Sequence, residues 1–192
     1  LLTACLSGDR ALLDLPQDTP PRVGLCKLHW EGVSHEVQEA MALAAHRLSA
    51  AGAQVVEITL PAEYLALTQA HMDIMAFEAA RALADERLRH LDLISAPLRA
   101  VIDKGLAMDY AHYAAQLRRV EQLRAQLPLF DAGTGDPTWC RLWTVLGLPC
   151  VHLPFTTGPQ GLPVGLQAVG ALHAGRRTLT AAAWLLSKLK EG

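Results

Sequence analysis

The sequence has no C-x-x-C pair, no H-x-x-x-H or H-E-x-x-H spacing, and no apolar run close to the roughly 20 residues that cross a bilayer. Cys5, Cys26, Cys140 and Cys150 each sit singly among apolar neighbours, as small core hydrophobes in a reducing compartment do. Disulfides, a metal site and a membrane span are therefore not expected. The N-terminal residues lack the basic, apolar, small-residue order of a signal peptide, so the expected location is cytoplasmic. Charge is sparse and mixed: 17 basic and 19 acidic groups give a net charge of -2, with no block of one sign. That excludes a nucleic-acid stripe or a polybasic membrane anchor and leaves a small molecule or a protein as the expected partner. No cofactor motif is present either, because the glycines of GLPVGLQ lead into a strand rather than a helix N-terminus carrying a lysine.

What is present is core-forming. Of 192 residues, 51% are hydrophobic and 19% charged, which suits a globular domain. RVGLCK, Arg22 to Lys27, follows Pro20-Pro21 and reads as a strand. Ser34 offers an N-cap; Val37, Met41, Ala44 and Leu48 then recur at helical spacing, and Gly52 ends the run. QVVEITLP, Gln54 to Pro61, is rich in β-branched residues and reads as a second strand, so a parallel βαβ unit is expected.

From Ala62 to Leu127 the pattern predicts two or three helices. Met72, Met75, Ala76, Ala79 and Leu83 form the inward stripe, Pro97 and Gly105 interrupt, and Arg118, Arg119 and Arg124 point outward. Glu78 with Arg81 and Glu121 with Arg124 read as exposed helical ion pairs. Asp136 and Pro137 then start a helix to about Leu146 that buries Cys140, Trp143 and Val145 or Leu146. CVHLPF and VGLQAVG read as strands joined by the tight reversal TTGPQGLP, and Ala174 to Lys190 as a closing helix. Gly165 and Gly170, set within a strand pattern, mark the close approach of another backbone or a ligand.

Few groups suggest chemistry. Cys150 and His152 share one side of a strand, but side chains two apart splay and no third group orients them, so a buried thiol and a core histidine are expected. His71 and Asp73 diverge by about 200° on a helix and are poor partners. The carboxylates show no isolated pair in an apolar setting.

The run TGDPTWCRLWTVLGLPCVHLP, followed by GLPVGLQAVG and an alanine- and leucine-rich helix, resembles the C-terminal part of the amidase signature enzymes. The RVGL strand, the AGAQVVEITLP strand, Glu78 and the stretch from Tyr110 to Arg119 agree with that family in order and spacing. The resemblance implies an α/β fold: a mixed, largely parallel sheet flanked by helices on both faces, incomplete in this chain. It implies amide-bond hydrolysis by a lysine, a bridging serine and a nucleophilic serine. It also implies no metal or other cofactor, a small-molecule amide substrate, and a homodimer as a compatible assembly. On this reading residues 1–192 are the C-terminal part of one amidase domain.

The chain departs from the family in two ways. Its serines, Ser7, Ser34, Ser49, Ser95 and Ser187, lie in no glycine-serine loop, and none of Lys27, Lys104, Lys188 and Lys190 precedes one. No catalytic residue is therefore carried over, and the 192 residues alone are expected to be inert. Leu129-Phe130 also runs almost straight into DAGTGDP, where the family places a further strand, so either a shortened member or, as the preferred expectation, a non-contiguous junction at residues 130 and 131 is expected. That junction, and a start at Leu1 without methionine, fit a chain taken from a longer polypeptide. By resemblance the helix after T-G-D-P approaches the substrate, which makes Cys140, Trp143, Thr144 and Trp139 candidate substrate-binding residues, with core packing as their ordinary alternative. Two other functions fit the same pattern: a glutamine-dependent amidotransferase subunit of this family, and a non-catalytic α/β binding module.

Overall fold

The structure, a computed structural model, describes residues 6–15, 19–26, 33–126 and 137–190. These divide into an α/β unit, within 1–60, 128–143 and 147–192, and a helical unit of 61–127 with 144–146. The Phe130-Asp131 junction, the Asp136 cap and the side chain of Trp139 lie outside the described residues.

In the α/β unit, strand β1 (Arg22–Cys26) lies parallel to β2 (Gln54–Ile58), with Arg22 opposite Gln54 and Cys26 opposite Ile58. Helix α1 (His35–Ala50) joins them, as the βαβ pattern predicts. Ser34 takes the N-cap position but makes no side-chain capping bond; its carbonyl accepts from Val37 and Gln38 instead. Gly52 adopts φ 95°, the left-handed turn that favours glycine after a helix. Strand β2 ends at Ile58, short of the expected Pro61, which instead opens the next helix.

Strands β3 (Cys150–Thr157) and β4 (Pro163–Val169) form an antiparallel hairpin with an irregularity in register between Pro154 and Thr156. Gly158 N–H donates to Leu162 O at 2.8 Å across the turn, and Gly161 sits at φ 75°. Val23 and Leu25 of β1 point to the same side and pack with Met41, Ala44 and Leu48 of α1, with Leu153 and Leu166 of the hairpin, and with Leu185 and Leu189 of α8 (Gly175–Lys190). Helices α1 and α8 therefore cover the same face of the strands. Arg47 fastens them, donating to Leu189 O at 2.7 Å.

The close approaches at Gly165, in β4, and Gly170, just after it, are made by side chains rather than by another backbone. A Cβ at Gly165 would fall on the His152 imidazole, and one at Gly170 on the Thr178 hydroxyl. Thr178, in the first turn of α8, donates to Ala174 O at 2.9 Å, so it holds the helix start against Gly170.

The helical unit is more finely divided than expected: α2 (Ala62–Leu65), α3 (Leu67–Ala82), α4 (Ala84–Arg89), a 3-10 turn (Leu91–Leu93), α5 (Ala96–Ala107) and α6 (Tyr110–Gln126). Leu83, at φ -95° and ψ 28°, breaks the run after α3. The buried face of α3 is Leu67, Ala70, Asp73, Ala76, Phe77 and Ala80; Met75 is exposed, so the inward stripe is rotated from the one the large apolar residues suggested. Gly105 does not interrupt α5. It lies inside the helix, where a Cβ would fall on the Ala76 carbonyl of α3. Pro97 likewise sits in the first turn of α5, where its missing N–H costs nothing. Tyr64 ties α2 to α6 by donating its hydroxyl hydrogen to Leu123 O at 2.9 Å.

Candidate functional site

Helix α7 (Pro137–Leu146) ends with Thr144–Leu146 in the helical unit. There it meets α3 and α6 around a groove of about 540 Å³, within the range that takes a small organic molecule. Its walls are largely apolar: Ile74, Met75, Ala79 and Ala82 from α3, Leu117 and Val120 from α6, and Val145 from α7. His71, Glu78, Glu121, Arg124 and Thr144 add polar groups.

Two of these correct the reading of the surface pairs. Arg124 is not outward. Its Nε donates to Leu146 O at 2.8 Å and its Nη2 to Val145 O at 3.0 Å, which satisfies carbonyls that the end of α7 leaves open. Glu78 accepts from the Tyr113 hydroxyl at 2.9 Å, while Arg81 donates to Phe77 O at 2.8 Å and lies 3.2 Å above the Phe77 ring centre. Tyr113 stacks on the same ring at 4.1 Å, so Arg81, Phe77 and Tyr113 form a column. Its bond to the Glu78 carboxylate, followed by burial, holds the Tyr113 hydroxyl above its usual range.

A buried carboxylate lies elsewhere in this unit and has no counterpart in the sequence reading. Asp73 is 7% exposed. Lys104 Nζ and Gln69 Nε2 both lie 2.8 Å from its Oδ1, and His112 Nε2 is 3.1 Å from its Oδ2. Burial alone would raise the carboxyl, but the bonds from Lys104, His112 and Gln69 outweigh it and hold Asp73 below its ordinary value. The cluster pins α3 to α5 and α6. The histidine that reaches Asp73 is His112, from another helix.

The three candidate substrate residues whose side chains are described separate. Thr144 is exposed on the groove, whereas Trp143 is buried and points its indole N–H at no acceptor. Cys140 is exposed rather than buried, with Gln167 Nε2 3.9 Å from its sulfur. Cys150 and His152 are likewise exposed residues of β3, not core ones, and of the described cysteines only Cys26 is buried. Crowding around the Cys150 sulfur, which donates to Leu148 O at 3.5 Å, pushes that thiol up to about 11, with the neighbouring Cys140 adding to the shift.

A thiol so raised is protonated at neutral pH and makes a poor nucleophile. Alkylation of Cys150 by iodoacetamide is accordingly expected to stay slow at pH 8 and to rise with a midpoint near 11, as measured by peptide mass spectrometry. A midpoint near the ordinary 9.0 would refute the crowding.

Among the described residues no group of three or more His, Cys, Asp or Glu side chains is placed to hold a metal, and no helix is long and apolar enough to cross a membrane. Lys104 is committed to Asp73, and Ser187 donates to Trp184 O in its own helix. Neither Lys104 nor Ser187 lines the groove.

No family model matches the sequence, and no curated protein matches it. Solved structures do. An amidase superimposes over 97% of this chain with a TM-score of 0.83 at 24% identity, and the match covers 49% of that protein. A 6-aminohexanoate cyclic dimer hydrolase, solved with substrate, matches 95% of the chain and 48% of its own length, with a TM-score of 0.77 at 17% identity. A bacterial aryl acylamidase of the amidase signature family matches 92% of the chain and 46% of its own length, with a TM-score of 0.71 at 16% identity. The chain thus has the fold of amidase signature enzymes, in the mixed α/β class expected, and spans about half the length of these structures.

Proposed function

We propose that a chain bearing this half of the amidase signature fold is part of an amide hydrolase of the Lys-Ser-Ser type. It supplies scaffold and part of the substrate pocket for the remaining half. The observation that carries the reading is the superposition of 97% of the chain on a solved amidase with a TM-score of 0.83. In such a mechanism a neutral lysine takes a proton through the bridging serine, the second serine attacks the amide carbonyl, and backbone N–H groups hold the oxyanion. None of those groups is assigned to these 192 residues. Their part is to hold the pocket wall at Thr144 and the last turn of α7, and the buried Asp73 centre braces the helices α3, α5 and α6 beside it. The partner is a small amide, the setting cytoplasmic and the intact assembly a homodimer.

The test is the coding sequence before Leu1 together with its full-length product. A lysine, then a serine in a glycine-serine loop, is expected there. A fluorophosphonate probe should label the full-length protein and leave the 192-residue chain unlabelled. An initiator methionine directly before Leu1, or a well-folded full-length protein that resists the probe and cleaves no amide, overturns the reading.

A further inference from the structure

The groove between α3, α6 and the end of α7 carries an unbalanced charge on apolar walls. Glu78 and Glu121 face it from opposite helices. The one guanidinium on its lining, Arg124, sits on the Val145 and Leu146 carbonyls, the negative end of the α7 dipole, which offsets part of its charge. Beside them, Ile74, Met75, Ala79, Leu117 and Val120 present a surface that an alkyl or aryl body would cover.

We propose that this groove binds a small amphipathic cation: an apolar alkyl or aryl body seated between α3 and α6, with an ammonium group between Glu78 and Glu121. The apolar body contributes by leaving water, and the charge sets the choice among ligands of the same shape. A neutral isostere keeps the first contribution and loses the second. An anionic isostere meets two carboxylates. The groove is the one that the hydrolase reading uses as a pocket wall, and the test reads ligand binding rather than hydrolysis, so the two can fail separately.

The methionines make the test local. Met75 lines the groove, and Met41 is buried in the core of the α/β unit. With the full chain labelled at its methionine methyl groups, phenethylammonium is titrated at pH 7 and compared with 2-phenylethanol and 3-phenylpropanoate. The Met75 signal is expected to shift saturably with phenethylammonium while Met41 stays in place. Glu78→Gln and Glu121→Gln are each expected to weaken the ammonium about fivefold and to leave 2-phenylethanol unchanged, the upper end for partly exposed charge pairs. Both variants keep side-chain size, and their amide oxygens still accept hydrogen bonds, so the Tyr113 contact survives in the first. Equal affinity for ammonium and alcohol, tighter binding of the carboxylate, an unmoved Met75, or a double variant that binds the ammonium as well as the parent each overturns the proposal.

Discussion

Gly105→Ala is expected to lower the stability of the chain by about 2 kcal/mol, although the same change in an open helix would raise it. Alanine is favoured over glycine inside a helix by about 1 kcal/mol. At Gly105 the added methyl falls on the Ala76 carbonyl and lies 2.9 Å from the Ala80 Cβ. No rotamer of a side chain can relieve that overlap, because the obstacle is the backbone of the facing helix. Overpacking of this kind costs about 3 kcal/mol, so the steric cost wins over the propensity. Urea unfolding should show a lower midpoint with an unchanged slope. Gly175→Ala, at the start of α8 where a Cβ meets nothing within 4 Å, serves as the control and should lose nothing. A Gly105→Ala chain as stable as its parent would refute the close contact of α3 with α5.

The second large effect is expected at Asp73. Removing one member of a buried ion pair costs 3–5 kcal/mol when the partner is left buried. Lys104 and His112 are each about half exposed and regain water, so Asp73→Ala is expected to cost about 2 kcal/mol at pH 7. The sign with pH follows from the direction of the shift. The folded carboxyl titrates below 3.8, its ordinary value, so the folded chain holds that proton less readily than the unfolded one. Its stabilisation is complete above pH 3.8 and falls away as the pH drops through the lower folded value. Unfolding free energies of parent and variant, measured from pH 7 down to pH 2, should therefore converge at the acid end. Parallel curves would refute the ionised pairing.

The contrast between these residues and the well-read parts of the chain is physical. The βαβ unit was legible because each of its signals is local: Pro20-Pro21 before β1, Ser34 and the spacing of Met41, Ala44 and Leu48, then Gly52. The hairpin was legible for the same reason, through the glycines of its turn. In α3 periodicity favoured the large side chains of Met72 and Met75, but a helix that approaches another at glycine must present small ones. Ala70, Ala76 and Ala80 therefore face inward. Asp73 shows no partner in the sequence beyond the badly placed His71, because His112 lies 39 residues away along the chain. Arg124 read as outward because its acceptors belong to the end of another helix. Of the three candidate pocket residues with described side chains, Thr144 lines the groove. Cys140 and Trp143 follow from where the turns of α7 place them, and no spacing in the sequence distinguishes one turn from the next.

The order of segments in the α/β unit bears on how the chain is made. Val23, Leu25, Met41 and Leu48 have emerged from the ribosome well before Leu185 and Leu189, the residues of α8 that cover them. Between the two groups all of 61–127 must be synthesised, and its main packing, α3 against α5 and α6, lies within that segment, so it can fold while the first group waits. While 61–127 is made, the nascent β1–α1–β2 segment thus carries an apolar face that α1 covers but α8 does not yet reach. A chain stopped before α8 keeps that face open, which makes α8 an element on which solubility during synthesis depends.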